Sequence, residues 1–173
     1  AEKISVIDFN KKMRVAFVEV ANYDWTTINP TIFGSLFQLI KNKEARRELG
    51  EHYTSEENIN KIVYPLFLDE FQERLAAAWD NKKELKKLRQ DLSKIKVFDP
   101  ACGCGNFLVI AYREIRRLEL DAMEAMQDIE RQNQSVTDTL DAKAFEFIQC
   151  DVHQCHGIEI EPSAAHIATV ALW

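Results

Sequence analysis

Apolar positions along this chain fall mostly three and four residues apart, the spacing that lines one face of a helix. Phe9, Met13, Phe17 and Val20 follow it and predict a first helix, which Tyr23-Asp24-Trp25 interrupts. Asn29-Pro30 is a turn and helix-start signal, and Thr31 to Lys41 reads as a second helix burying Ile32, Leu36, Phe37 and Ile40. Thr54 with Glu57 fits a capping box, in which the threonine accepts a backbone N–H and the glutamate reaches back. The helix it opens carries Ile59, Ile62, Val63, Leu66 and Phe67 on one face, bends at Pro65 and runs on toward Trp79. Asp80 to Lys94 predicts a charged helix with a thin seam of Leu85, Leu88 and Leu92, its lysines on a solvated face.

The period then changes. Ile95-Lys96-Val97-Phe98 is a short apolar run of strand type, followed by Asp99-Pro100-Ala101-Cys102-Gly103-Cys104-Gly105. A long helical pattern begins at Asn106-Phe107 and runs to about Glu130, with Leu108, Ala111, Ile115, Leu118 and Ala122 facing the sheet. Gln127 to Asp141 is polar and reads as an exposed connection with some helix, and Phe145-Glu146-Phe147-Ile148 as a short strand or an ordered lead-in. Gly157-Ile158-Glu159-Ile160 predicts a buried parallel strand ending in an acid. Glu161-Pro162-Ser163 starts a last helix, with proline in its first turn. Strand, glycine loop, helix and second strand in that order give an α/β fold. We expect a truncated doubly wound, Rossmann-like core over residues 50–173 behind an N-terminal helical segment, residues 1–49.

Composition narrows the classes. The chain has 173 residues, 46% hydrophobic and 29% charged, enough for one domain with a core. Its net charge of -6 argues against a strongly basic nucleic-acid footprint on this stretch. No apolar run approaches the roughly 20 residues of a membrane span, so no membrane partner and a cytoplasmic location are expected. Four cysteines read as free thiols. Cys150, His153, Cys155 and His156 are crowded, but the spacing is no standard finger and His156 abuts the strand, so a fortuitous cluster is expected and no metal. Cys102 and Cys104 lack an evident basic partner, which disfavours a thiol nucleophile. His166 reads as a helix-surface residue, and the three tryptophans as packing anchors.

The candidate chemistry rests on pairing the glycine loop with Glu159. Gly103 and Gly105 permit a tight turn and close approach of a ligand. An acid at the end of the next strand accepts hydrogen bonds from ribose hydroxyls in dinucleotide-type folds. The interval from Gly105 to Glu159 is well over twice the usual ~20 residues, and Leu108 stands where G-x-G-x-x-G needs its third glycine. A plain NAD fingerprint is thereby weakened.

Asp99-Pro100-Ala101-Cys102-Gly103-Cys104-Gly105-Asn106-Phe107-Leu108 resembles the cofactor loop of S-adenosylmethionine-dependent DNA adenine-N6 methyltransferases. Gly157-Ile158-Glu159-Ile160-Glu161-Pro162 is similar to their ribose-binding strand end, and Gly50-Glu51-His52-Tyr53-Thr54-Ser55 to the segment that closes over the methionine end. The resemblance covers roughly residues 23–173. It is nearest to large fused modification enzymes of the type IIG and phage-defence kind, which carry a segment like Trp25-Thr26-Thr27-Ile28-Asn29-Pro30-Thr31-Ile32-Phe33-Gly34. Cys104 replaces the commoner Ser, and Ser55 the commoner Pro; neither change removes a backbone contact.

The resemblance implies S-adenosylmethionine as cofactor. Asp99, Ala101, Gly103 and Gly105 would surround its methionine part, Asn106 and Phe107 would begin the helix beneath it, Glu159 would hold the ribose hydroxyls and Ile160 would flank the adenine. Tyr53 and Thr54 would contact the carboxylate or sulfonium end, a role compatible with Thr54 as a helix cap. The family also places its target amine against an Asn/Asp-Pro-Pro-Tyr/Phe loop. No such tetrapeptide occurs here, Asn29-Pro30-Thr31-Ile32-Phe33 lacking the second proline. The expectation is thus the cofactor side of a restriction-modification or phage-defence DNA methyltransferase, with DNA engaged through other parts of the parent, no catalytic residue within the chain and no transfer by the chain alone. A protein or RNA methyltransferase, or a non-catalytic Rossmann-type nucleotide module, are the alternatives.

Overall fold

The computed structural model describes residues 10–24, 32, 54–133 and 148–173. Helix α1 (Lys11–Ala21) is capped by Asn10, whose side chain accepts the Met13 N–H at 2.9 Å. The helical spacing of Met13, Phe17 and Val20 is realised, but all three are exposed, and α1 buries no residue. The predicted helix over 31–41 lies outside the described residues, apart from Ile32.

Helix α2 (Glu56–Val63) starts one residue later than the sequence predicts. Its cap is Ser55, extended in backbone and accepting the Asn58 N–H at 3.4 Å, so the Thr54–Glu57 capping box does not form. Glu57 instead pairs forward with Lys61 at 2.7 Å, the favourable i,i+4 order on a helix. Ile59 and Val63 are fully buried, whereas Ile62 and Leu66, expected beside them, are exposed. For Leu66 the reason is a π-helical turn over Tyr64–Leu68. Pro65 lacks the N–H that would close an α-turn, and the Asp69 N–H bonds five residues back to the Tyr64 carbonyl. One extra residue per turn rotates the apolar face onto Leu68, Phe71 and Leu75, all buried. The expected bend is thus absorbed as a widened turn, and α3 (Asp69–Ala77) carries the helix on to Ala78.

Helix α4 (Lys82–Leu92) follows the sequence reading closely. Asn81 caps it through Lys83 N–H at 3.1 Å and Glu84 N–H at 3.3 Å, and Leu85, Leu88 and Leu92 form its buried seam. Lys83, Lys86 and Lys87 are exposed. Strand β1 (Val97–Asp99) leads into helix α5 (Asn106–Asn133), which has 28 residues and therefore spans about 42 Å. Its predicted face of Leu108, Ala111, Ile115, Leu118 and Ala122 is buried, but it packs on the preceding helices as well as on the strands. Each of its leucine and isoleucine side chains contributes about 1.5–3 kcal/mol through burial.

Strand β2 (Cys155–Gly157) pairs parallel with β1 in the register Val97↔Cys155, Phe98↔His156, Asp99↔Gly157. The parallel pairing is as expected; the strand lies earlier than the predicted Gly157–Ile160, and that segment is not buried, since Ile158 and Ile160 are exposed. Val97 packs into the core while Phe98, on the opposite face, is open. Two polar anchors fix β2. Gln154, buried in a 3-10 turn (Val152–Gln154), donates to the Leu92 and Ile95 carbonyls at 2.8 and 2.9 Å and accepts the Asp151 N–H at 3.0 Å. Glu119, fully buried on α5, accepts the Gln149 N–H at 2.7 Å and both Arg89 and Arg116. Helix α6 (Pro162–Leu172) begins as predicted, Glu161 capping it through Ala164 N–H at 2.6 Å. Trp79 is half-exposed and Trp173 88% exposed, so these two are not the packing anchors expected. His166 is on the surface, as read.

Candidate cofactor site

The site sits where β1 and β2 end together. The ladder continues past the strands: Ile158 N–H bonds the Asp99 carbonyl, and Cys102 N–H bonds the Ile158 carbonyl, both at 3.0 Å. Those two bonds carry the 99–105 loop across the end of β2 and bring Glu159 beneath it. Glu159 then accepts the Gly103 N–H at 2.8 Å through one carboxylate oxygen and the Glu161 N–H at 2.9 Å through the other. Asp99 accepts the Ala101 N–H at 3.0 Å, and Gly105 N–H closes the turn on the Cys102 carbonyl at 2.8 Å.

Three glycines make this possible, for different reasons. Gly105 has φ +83°, and a Cβ there would stand 2.9 Å from the Ala168 Cβ, so the loop lies directly against α6. Gly103 has φ +54°, with nothing within 4 Å of a Cβ position; its backbone faces open space. Gly157, which the sequence reading did not single out as a site residue, lets the Cys102 sulfur approach to 2.7 Å of its own Cβ position. Its place at the head of the Gly-Ile-Glu run was the available signal.

The electrostatics are lopsided toward negative. The bonds to Asp99 and Glu159 come from backbone amides. Burial, then Asp99, then Glu159 push the Cys102 thiol above its ordinary range, which leaves it a poor nucleophile. Burial likewise raises Cys150 to about 12 and Cys155 to about 11. Among the described residues no group of three or more His, Cys, Asp or Glu side chains could hold a metal ion.

The remaining predicted site residues divide. Asn106 and Phe107 open α5 directly after the loop, half-buried, with Phe107 against the core. Ala101 is exposed on the loop and Ile160 is 81% exposed beyond Glu159. Thr54 is exposed just before the Ser55 cap; Tyr53 lies outside the described residues. An ion pair missed from sequence brings this segment toward the site: Glu56 meets Arg113, two turns into α5 from the loop. Glu56 and Arg113 lie too far apart in sequence for any local pattern to reveal the pair.

Residues 75–173 match the family described as MmeI, DNA-methyltransferase domain. The chain is 38% identical over 168 residues to DNA methyltransferase A of Bacillus subtilis, covering 96% of this chain and 18% of that protein. It is 22% identical over 200 residues to a putative type II restriction enzyme and methyltransferase of Methanocaldococcus jannaschii, with 97% of this chain and 16% of that protein covered. A solved structure of the type IIL restriction-modification enzyme MmeI in complex with DNA superposes with a TM-score of 0.81 at 47% identity, over 95% of this chain and 21% of that one. The chain thus spans about a fifth of the length of the relatives it matches. By the family match over more than half of its length and the shared fold at high identity, it belongs to the MmeI DNA-methyltransferase domain family, of restriction-modification type.

Proposed function

We propose that the chain supplies the cofactor side of an S-adenosylmethionine-dependent DNA methyltransferase that modifies adenine N6 within a restriction-modification or phage-defence system. The observation that carries this reading is where the loop's amides go. The N–H groups of Ala101 and Gly103 are both taken by carboxylates, and those of Cys102 and Gly105 by carbonyls. A glycine loop that cradles phosphate must offer such amides to the anion. Here Asp99 and Glu159 hold two of them and add negative charge. That setting disfavours NAD or ATP and suits a phosphate-free ligand with a cationic centre and vicinal hydroxyls, which is the chemistry of S-adenosylmethionine.

The residues fit that cofactor as a set. Glu159 keeps carboxylate lone pairs for ribose hydroxyls while bonded to two amides, a carboxyl group offering about four acceptor sites. Asp99 and the open backbone at Gly103 would face the methionine part, with Ala101, Gly105, Asn106 and Phe107 shaping the floor. Ile160 would lie on the adenine, and Tyr53 with Thr54 would close the methionine end. When bound, the cofactor's sulfonium supplies an electrophilic methyl group, so this part of the protein contributes position and electrostatics rather than acid–base chemistry.

In this reading the domain extends over residues 50–173 and is the first portion of a doubly wound sheet. A groove of about 510 Å³ beside β2, bounded by Cys155, His156, Ala165, Ala168 and Leu172, is where the sheet would continue. The target amine and the DNA would be engaged elsewhere in the protein, in the cytoplasm; among the described residues no helix is long and apolar enough to cross a membrane. Calorimetry against S-adenosylmethionine, S-adenosylhomocysteine, NAD and ATP tests the reading. Binding of the first two alone is expected; preferential binding of NAD or ATP would overturn it. Methyl transfer to adenine-containing duplex DNA by the protein carrying this chain, absent when adenine is replaced by N6-methyladenine, tests the substrate.

A further inference from the structure

We propose that Glu159 is also a latch: it holds the glycine loop in its binding shape before any cofactor arrives. This goes beyond its hydroxyl-binding role and rests on the same reading of the site. One oxygen of the carboxylate accepts from Gly103 on the loop and the other from Glu161 at the start of α6. The side chain therefore joins loop, strand end and helix start through both of its oxygens.

The latch acts at the weakest place in the loop. Cys102 is held through its N–H on the Ile158 carbonyl, and Gly105 through its N–H on the Cys102 carbonyl and by contact with Ala168. Gly103 has no such packing: the space around its Cβ position is empty, and φ +54° is a conformation glycine leaves readily. The peptide joining Cys102 to Gly103 is held at its carbonyl by the Gly105 N–H, and the bond to Glu159 ties its N–H to the strand end. The same bond fixes the carboxylate, so that its free lone pairs are already aimed when a ligand's hydroxyls arrive. Preorganisation of this kind raises affinity by removing ordering costs from the binding step.

Amide hydrogen exchange in ligand-free protein, followed by NMR, reads the latch directly. In Glu159→Ala the Gly103 and Glu161 amides should exchange about tenfold faster or more, while those of Ile110 and Ile115 in the buried part of α5 keep their protection. Unchanged exchange at Gly103 overturns the proposal. Should Ile110 and Ile115 also exchange faster, the alanine variant has lost its fold and Glu159→Gln decides. A carboxamide has a single acceptor oxygen, so one of the two amides must lose protection and the other keep it. Equal, wild-type protection at both would overturn the latch. Calorimetry with S-adenosylmethionine on the same samples separates the two ideas. A Gly103 response without cofactor binding by the wild type retains the latch and removes the cofactor reading. Binding without a Gly103 response does the reverse.

Discussion

Among the carboxylates of this molecule that accept backbone amides, two do opposite things. Glu119, on α5, is fully buried and meets Arg89 and Arg116 as well as the amides of Gln149 and Cys150. Glu159 is half-buried at the rim of the loop, and the partners seen for it are the amides of Gly103 and Glu161. A buried charge must be neutralised and its lone pairs filled, or folding is penalised by several kcal/mol. Glu119 is thus saturated and sealed, and ties α4, α5 and the approach to β2 together. Glu159 keeps acceptor capacity and net negative field at a surface opening. In the proposed reading, the difference separates a carboxylate that completes a fold from one that would hold a place for a ligand.

The largest expected effect tests the first half of that contrast. Glu119→Ala leaves the guanidinium groups of Arg89 and Arg116 and the amides of Gln149 and Cys150 without this acceptor, and should destabilise by about 3–5 kcal/mol. Urea denaturation measures it. Cofactor affinity of the protein that remains folded should change little; a large loss of affinity at wild-type stability would erase the distinction between the two sites. Next comes the loop itself. Gly105→Ala forces an alanine to φ +83° with its methyl against Ala168, and should cost about 2–4 kcal/mol from left-handed strain and overpacking together. Gly103→Ala meets open space and should cost only about 1 kcal/mol of stability from strain, yet its methyl would enter the ligand's volume. Equal losses of stability in the two variants would contradict the placement of Gly103 at an opening.

The sequence made one side of this contrast readable and hid the other. Asp99, Gly103, Gly105 and Glu159 stand in a strand–loop–helix–strand order that periodicity alone exposes, and the parallel pairing of the two short strands follows from it. The seam of Leu85, Leu88 and Leu92 was equally plain, because a helix with few apolar residues has only one way to bury them. Glu119 carried no signal. It lies among charged neighbours on a long helix, where its i,i+3 pairing with Arg116 is commonplace, and its other partners come from α4 and from Gln149–Cys150, distant in sequence. Local rules failed where local alternatives were nearly equal. Thr54 and Ser55 are both good caps, and the chain used the second, which puts Glu56 and Glu57 in the first turn, favoured by the helix dipole. Pro65 predicted a bend, whereas a π-turn satisfied the backbone and moved Leu66 to solvent. The strand predicted at 157–160 lies earlier because β1 ends at Asp99, opposite Gly157, and beyond that point Ile158 bonds Asp99 and Cys102 where the chain turns into the loop.

Glu159→Ala addresses the second half of the contrast. Losing charge-assisted hydrogen bonds of about 1.5–3 kcal/mol should weaken S-adenosylmethionine binding by roughly ten- to a hundredfold. Calorimetry gives the affinity and thermal melting the stability, which should fall far less than in Glu119→Ala. If the melting temperature fell as far as in that variant, Glu159 would be a fold-completing acid after all.

The smallest effect comes from a third carboxylate, Asp91, which calibrates the other two. It is neither sealed nor at an opening: on the surface, Arg74 meets it at 2.6 Å and Lys94 at 3.1 Å. The hydrogen bond from Arg74, then that from Lys94, holds its acid below the ordinary carboxylate range. A folded-state value below the unfolded ~3.9 means the pair stabilises the protein above that pH, and the contribution disappears as pH falls through the folded value. Exposed pairs of this kind contribute little, so Asp91→Asn should lower the melting temperature only slightly at pH 7, and the difference should vanish as the pH falls through the lowered folded-state value. Melting curves of the two across that range measure it. A difference that persisted in acid would mean that Asp91 acts by packing rather than by charge. A difference at pH 7 as large as that of Glu119→Ala would mean that burial is not what sets Glu119 apart.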